Sequence, residues 1–242
     1  MPPYLVAVCL LLVGLGAGFV QRVSGFGLGI FAMIFLPSFL PSVAHAATVS
    51  CLFSCGTSTY NALKYRKSIS LKTAIPMLFS ALLAIPFAVY LASSLAQECF
   101  KMAIGILFIL LSLFLLFFHS RVKIKPTITN GILSGAISGF LNGLVSTGGP
   151  PAVVYLSNAL TDKLAYFATI QFYFCVTNLY ATANRAVSGL LTVQILAYAA
   201  IGFAGCMLGD FAGKRVFDHL DGEKLKKVVC VGMIISGVVM IV

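Results

Sequence analysis

The chain is a succession of apolar runs separated by short segments that carry most of its charge. The runs are about 20 residues long, the length at which a helix crosses the hydrocarbon core of a bilayer. That pattern removes most folds from consideration. Of 242 residues, 60% are hydrophobic and 9% charged, whereas a soluble domain carries about 25% charged residues. Almost no sequence is left for a soluble domain. A membrane β-barrel would require short alternating strands, and no such alternation is visible. The expected fold class is an all-α integral membrane protein. Residues 1–20 lack the basic start and small-residue cleavage site of a signal peptide, so they are read as the first helix of the mature protein.

Five apolar segments fall in each half: about 4–20, 27–40, 44–63, 70–92 and 98–118, then 128–145, 150–160, 163–184, 190–213 and 223–242. A shift of 121 places Gly18-Phe19 on Gly139-Phe140, Gln21 on Asn142, Ala47-Thr48 on Ala168-Thr169 and Lys64 on Arg185. A slightly larger shift places Glu98 on Glu223 and Lys101 on Lys226. Each match is weak, but their order is kept, which is the faint internal symmetry of transporter folds. The expected organisation is a single membrane domain of two repeats, 1–122 and 123–242.

Loop charges orient the repeats. Lys64, Arg66, Lys67 and Lys72 follow the third segment; Arg121, Lys123 and Lys125 join the halves; Lys214, Arg215, Lys224, Lys226 and Lys227 precede the last segment. By the positive-inside rule these loops are cytoplasmic, both termini are periplasmic, and the outer side retains only Lys101 and Arg185. An odd number of segments per half then makes the repeat inverted. The formal charge of +10 is thus spent on topology, and nucleic-acid binding is excluded because no basic module remains.

Two stretches interrupt the spans at corresponding places. "GFVQRVSGFGLGIFAMIFLP" ends a helix at Gly25 and Gly27; "GFLNGLVSTGGPPAVVYL" ends one at Gly148-Gly149. The apolar pieces that follow, roughly 30–40 and 150–160, are too short to span at about 1.5 Å per residue. Each half is therefore expected to open with a broken helical hairpin: a helix, a break within the membrane and a short helix running back. Backbone left unpaired in a bilayer is tolerated only where protein or a watery cavity receives it, and paired breaks in an inverted repeat point to a transport site. Free amides at helix starts favour anions. Pro150-Pro151 suits a first helical turn. Ser24, Ser146 and Thr147 add hydroxyls, Gln21 and Asn142 add amides, and Arg22 adds a planar cation suited to oxyanions. No acid lies near either break, so the expected substrate is an anion. The alternatives are glycines that serve only close packing and an arginine that snorkels to an interface.

Gln171, Cys175 and Asn178 share a face of segment 163–184, as do Thr57 and Asn61 on its repeat mate; either set lines a path or ties helices together. Asp210 is read as a solvated partner of Lys214, and His45 and His119 as interfacial. The seven cysteines, with Cys51 and Cys55 four apart, are read as small apolar filler. No metal site, cofactor or disulfide framework is implied.

The two break stretches, with the ending "GCMLGDFAGKRVFDHLDGEKLKKVVCVGMIISGVV", resemble the sulfite exporter TauE/SafE family over nearly the whole chain. The resemblance implies a carrier of small sulfur-containing anions (sulfite, sulfonates or sulfoacetate), usually outward across the bacterial inner membrane. The first motif departs from the tighter glycine cluster of many members, and Arg22 occupies a position often small or apolar. The substrate-site expectation comprises Gln21, Arg22, Ser24, Gly25, Gly27, Asn142, Ser146, Thr147, Gly148, Gly149, Gln171 and Asn178. The partners are the small anion and the lipid bilayer, with homo-oligomerisation left open. The rival readings are an anion channel, a carrier of another small anion or of a sulfur compound such as thiosulfate, an intramembrane enzyme and a non-transporting subunit. The enzyme is disfavoured because no nucleophile–base pair or metal cluster is legible.

Overall fold

The computed structural model describes residues 2–117, 124–216 and 222–241. The described residues are helical with short connections and contain no strand. The elements are α1 (Pro3–Ser24), α2 (Leu28–Phe35), α3 (Val43–Lys64), α4 (Leu71–Ser94), α5 (Gln97–Phe117), α6 (Ile128–Val145), α7 (Gly149–Ala159), α8 (Lys163–Val187), α9 (Val193–Val216) and α10 (Gly222–Ile241). They match the ten expected segments, except that α1 continues through Arg22 before it breaks. The expectations for His119, Arg121, Lys123, Asp218 and Asp221, and the repeat boundary at 122/123, lie outside the described residues. So do those for the side chains of Glu223, Lys224 and Lys226.

Hydrophobicity sorts the helices into layers. α1, α4, α5, α6 and α9 are each long and apolar enough to cross a membrane. Several present apolar side chains outward, as α4 does with Ile75, Phe79, Leu83 and Phe87, a spacing of about one turn that makes one lipid-facing stripe. α3 and α8 are equally long but polar. Their Thr48, Ser50, Thr57, Ser58, Asn61, Thr169, Gln171, Thr177 and Asn178 are all buried. Polar side chains are tolerated there because the two helices pack on each other and are flanked by α4 and α9, so their polar faces meet protein instead of lipid. α2 and α7 span only about 12 and 17 Å at 1.5 Å per residue, too short to cross a bilayer.

Both helices that carry a break are clamped by close backbone contact. α1 packs on α9 and α6 packs on α4. On α6, Gly135, Gly139 and Gly143 face Met77, Ala81 and Ile85 of α4, a small-residue stripe of the kind that lets membrane helices approach. A methyl group at Gly139 would sit 2.5 Å from the Cα of Ala81. Gly139→Leu is therefore expected to push α4 off α6 and to destabilise the protein by about 3 kcal/mol, read as a lower melting temperature in detergent. Melting like the native chain would show that this contact is not made. The packing explanation of membrane glycines thus holds for the helix bodies. The glycines at the breaks have a different task.

Candidate functional site

Both breaks are built from backbone conformations that close one helix and aim the next. At the first, Gly25 (φ 78°) ends α1 and Gly27 (φ 92°) starts α2. Positive φ at both positions is cheap only without a Cβ. At the second, the residue that ends α6 is Ser146, at φ 59° and ψ 29°. It is the one non-glycine with positive φ among the described residues. A non-glycine there costs roughly 1–2 kcal/mol, and strain of this kind collects at functional sites.

The breaks touch each other. A Cβ at Gly29 would collide with the carbonyl oxygen of Ser146, and one at Gly149 would meet the ring of Phe26 at 3.1 Å. Between them lies a small cavity of about 20 Å³, lined by residues of both breaks and by Ser54, Phe174 and Asn178. The amides of Gly27, Leu28, Gly29 and Ile30, the first turn of α2, have no intrahelical acceptor. In α7 the prolines at 150 and 151 remove two of those donors, leaving the amides of Gly148 and Gly149. Ser138 donates to the Gly148 carbonyl, which occupies that oxygen within the protein.

Three side chains in the cavity wall are buried without a hydrogen-bond partner: the Asn142 amide nitrogen, the Ser146 hydroxyl and the Thr147 hydroxyl. Each such group costs about 1–3 kcal/mol while unsatisfied. Two hydroxyls and an amide without partners on residues of one cavity wall, with no acid in that wall, can each donate to a solute that accepts hydrogen bonds.

The remaining expected site residues divide. Gln21, Gly27, Gly148, Gly149 and Asn178 line the cavity. The Asn178 amide donates to Ser54 Oγ at 2.8 Å. Gly25 and Gln171 stand beside the cavity and hold its edge. Gln171 Nε2 donates to the Gly25 carbonyl at 3.1 Å, Gln21 Nε2 donates to Gln171 Oε1 at 3.2 Å, and Thr57 donates to Gln21 Oε1 at 2.8 Å. This network fixes the end of α1 to α3 and α8. Ser24 closes α1, and its side chain lies outside the described residues.

Two arginines stand elsewhere than sequence reasoning placed them. Arg22 does not line the cavity. Because α1 stays helical through Ser24, Arg22 lies about 100° around the helix from the inward-facing Gln21. Its guanidinium stacks 5.5 Å from the centroid of the Phe167 ring, in a separate open pocket of about 250 Å³ with Tyr65, Lys163 and Leu164. Arg185, expected as an outer-side charge, is instead buried at 1% exposure. Its Nη2 donates to the carbonyls of Asn142 (3.0 Å) and Gly143 (2.8 Å), in the last turn of α6. The sequence carried a signal for this: Gln171, Asn178 and Arg185 recur every seven residues and so share one face of α8. Asp210, expected to contact Lys214, also hydrogen-bonds Asn61 and feels Arg22 and Lys64. Cys175, grouped with Gln171 and Asn178, lies 3.2 Å from Thr59 Oγ1.

The family model described as Sulfite exporter TauE/SafE matches residues 10–240. The chain belongs to the TauE/SafE family. It is accordingly a multi-pass membrane protein of a transporter family, and the paired breaks lie within the matched region. No curated protein and no solved structure matches the chain. The family therefore supplies the class of the protein, and its own geometry must supply the site.

Proposed function

We propose that this chain carries small sulfur-containing oxyanions (sulfite, sulfonates or sulfoacetate) outward across the bacterial inner membrane, binding them where its two helix breaks meet. The observation that carries this reading is the trio of unpartnered donors, Asn142 Nδ2, Ser146 Oγ and Thr147 Oγ1, on residues that line one cavity. A sulfonate or sulfite group presents three oxygens that accept hydrogen bonds and donate little. Phe26, Leu28, Ile30 and Phe174 in the same wall suit a short carbon chain behind it.

A cavity of about 20 Å³ holds one water and no sulfur oxyanion. The cavity must therefore widen to admit one, by movement of the helices around the breaks while the breaks stay in contact. We read the halves as inverted repeats with both termini periplasmic. Helix packing supports the repeat: α1 on α9 mirrors α6 on α4, while α3 pairs with α8 and α5 with α10, as exchange of equivalent helices demands; the loop charges supply the inversion. Alternating access then follows from one bundle rocking on the other around the fixed breaks.

The test is ligand stabilisation of the purified protein by sulfite, thiosulfate, sulfate and short sulfonates, followed by counterflow in liposomes. A specific ligand at 100 times its Kd stabilises by about 2.7 kcal/mol. Saturable counterflow supports a carrier, whereas open-pore currents would make it an anion channel. Stabilisation by none of these anions would overturn the reading.

A further inference from the structure

Arg185 is the bulkiest fully buried side chain, and its charge lacks a carboxylate partner among the described residues. Its hydrogen bonds go to two carbonyls of α6, and its Nε has none. The sequence has six acids. Three of them, Asp218, Asp221 and Glu223, are outside the described positions and side chains. Asp162 caps the opposite end of α8 by accepting from the Ala165 amide, about 33 Å away at 1.5 Å per residue. Asp210 is engaged with Asn61 and the cations around Arg22. Glu98 starts α5.

A charge count over the site is informative. Each break brings together the C-terminal end of one helix and the N-terminal end of the next. These ends carry roughly half a negative and half a positive charge. Over α1, α2, α6 and α7 they cancel, and one whole positive charge remains, that of Arg185. An isolated buried charge is costly, and a solute of opposite charge relieves that cost. Asn142 connects the two places. Its carbonyl accepts from Arg185, while its side-chain amide stands unpartnered in the cavity wall.

We propose that Arg185 is the charge-matching residue of this cavity: it positions Asn142 through the α6 carbonyls and leaves the site one positive charge, so that the site selects monoanions such as alkylsulfonates over dianions and over neutral isosteres. The inference rests on the anion reading above and narrows it. Arg185 does not line the cavity, so it is a positioning and electrostatic residue.

The experiment measures equilibrium binding of three probes to the full chain in nanodiscs: methanesulfonate (one charge), sulfate (two) and methanesulfonamide (none, same shape). The native protein is expected to bind methanesulfonate at least about tenfold more tightly than either other probe, the scale of one charge-assisted hydrogen bond. Arg185→Gln is expected to erase that preference, weakening methanesulfonate about ten- to hundredfold while leaving methanesulfonamide nearly unchanged. Arg185→Lys, which keeps the charge without the two-carbonyl grip, is expected to retain the preference at lower affinity. Loss of packing alone would weaken all three probes together. Native protein that binds the sulfonamide as well as the sulfonate overturns the proposal, as does folded Arg185→Gln that keeps the preference. Should Arg185→Gln fail to fold, the native comparison and Arg185→Lys still decide. Native protein that binds none of the three overturns the anion reading and this inference with it, an outcome distinct from binding without charge preference.

Discussion

Replacing Ser146 with glycine is expected to make the protein more stable and a poorer binder at once. Ser146 holds φ 59° at the end of α6, where helices commonly finish with glycine. Its hydroxyl is buried with no partner. Glycine removes both the steric penalty of that conformation and the unsatisfied donor. Part of the gain is lost to the extra freedom of glycine in the unfolded chain, which leaves a net stabilisation of about 1 kcal/mol. The same change deletes one of three donors to a bound oxyanion. A hydrogen bond to a charged group is worth about 1.5–3 kcal/mol, so affinity is expected to fall about ten- to hundredfold. Melting curves with and without sulfite measure both effects. A variant that is less stable and binds as well as the native chain would mean that the serine serves the fold and not the ligand. Opposed signs are the informative outcome, since stability gained at the expense of binding is the trade-off expected of a strained functional residue.

Gly29→Ala is expected to abolish binding and transport outright. Its Cβ would meet the carbonyl oxygen of Ser146 at well under contact distance. The obstacle is backbone in the opposite break, which cannot rotate away as a side chain would. The hairpins must separate, carrying the amides of α2 away from the donors of α6. The glycine-lined clamps of α1 on α9 and α6 on α4 are untouched, so the variant is expected to insert and remain monodisperse on size exclusion. Counterflow and ligand-induced stabilisation should both fall to background. Native-like binding by Gly29→Ala would show that contact between the breaks is not part of the binding state.

These two substitutions separate what glycine and serine do at equivalent corners. At Gly25 and Gly27 the backbone alone dictates the residue, because two positive φ values in three positions leave little other choice. At Ser146 the backbone would also favour glycine, yet the chain keeps a hydroxyl there. The difference points to chemistry at the second break that the first does not need. On the proposed anion site, more of the ligand-binding load would fall on α6 and α7 than on α1 and α2.

Arg22 and Arg185 mark the limit of reading a helix without its neighbours. Both were visible as isolated cations near the ends of apolar runs. In a helix, one residue of phase turns a side chain by about 100°. Which phase faces inward depends on the partners packed there. Gly213 on α9 leaves room for the stem of Arg22 outside the cavity, while the open carbonyls at the end of α6 draw Arg185 inward.

The sequence by itself determined that this protein is helical and membrane-embedded, that its helices number about five per half, and that two of them break at Gly25–Gly27 and Ser146–Gly149. Runs of apolar residues, glycine and proline act locally, through hydrophobic length and backbone freedom, and need no partner to be read. Only the tertiary structure decided that the two breaks meet, that Asn142, Ser146 and Thr147 line one cavity with unsatisfied polar atoms, and that the buried charge beside it belongs to Arg185. Those facts arise from contacts between residues distant in sequence, such as Arg185 with Asn142 and Gly29 with Ser146, and local preference along the chain carries no record of them.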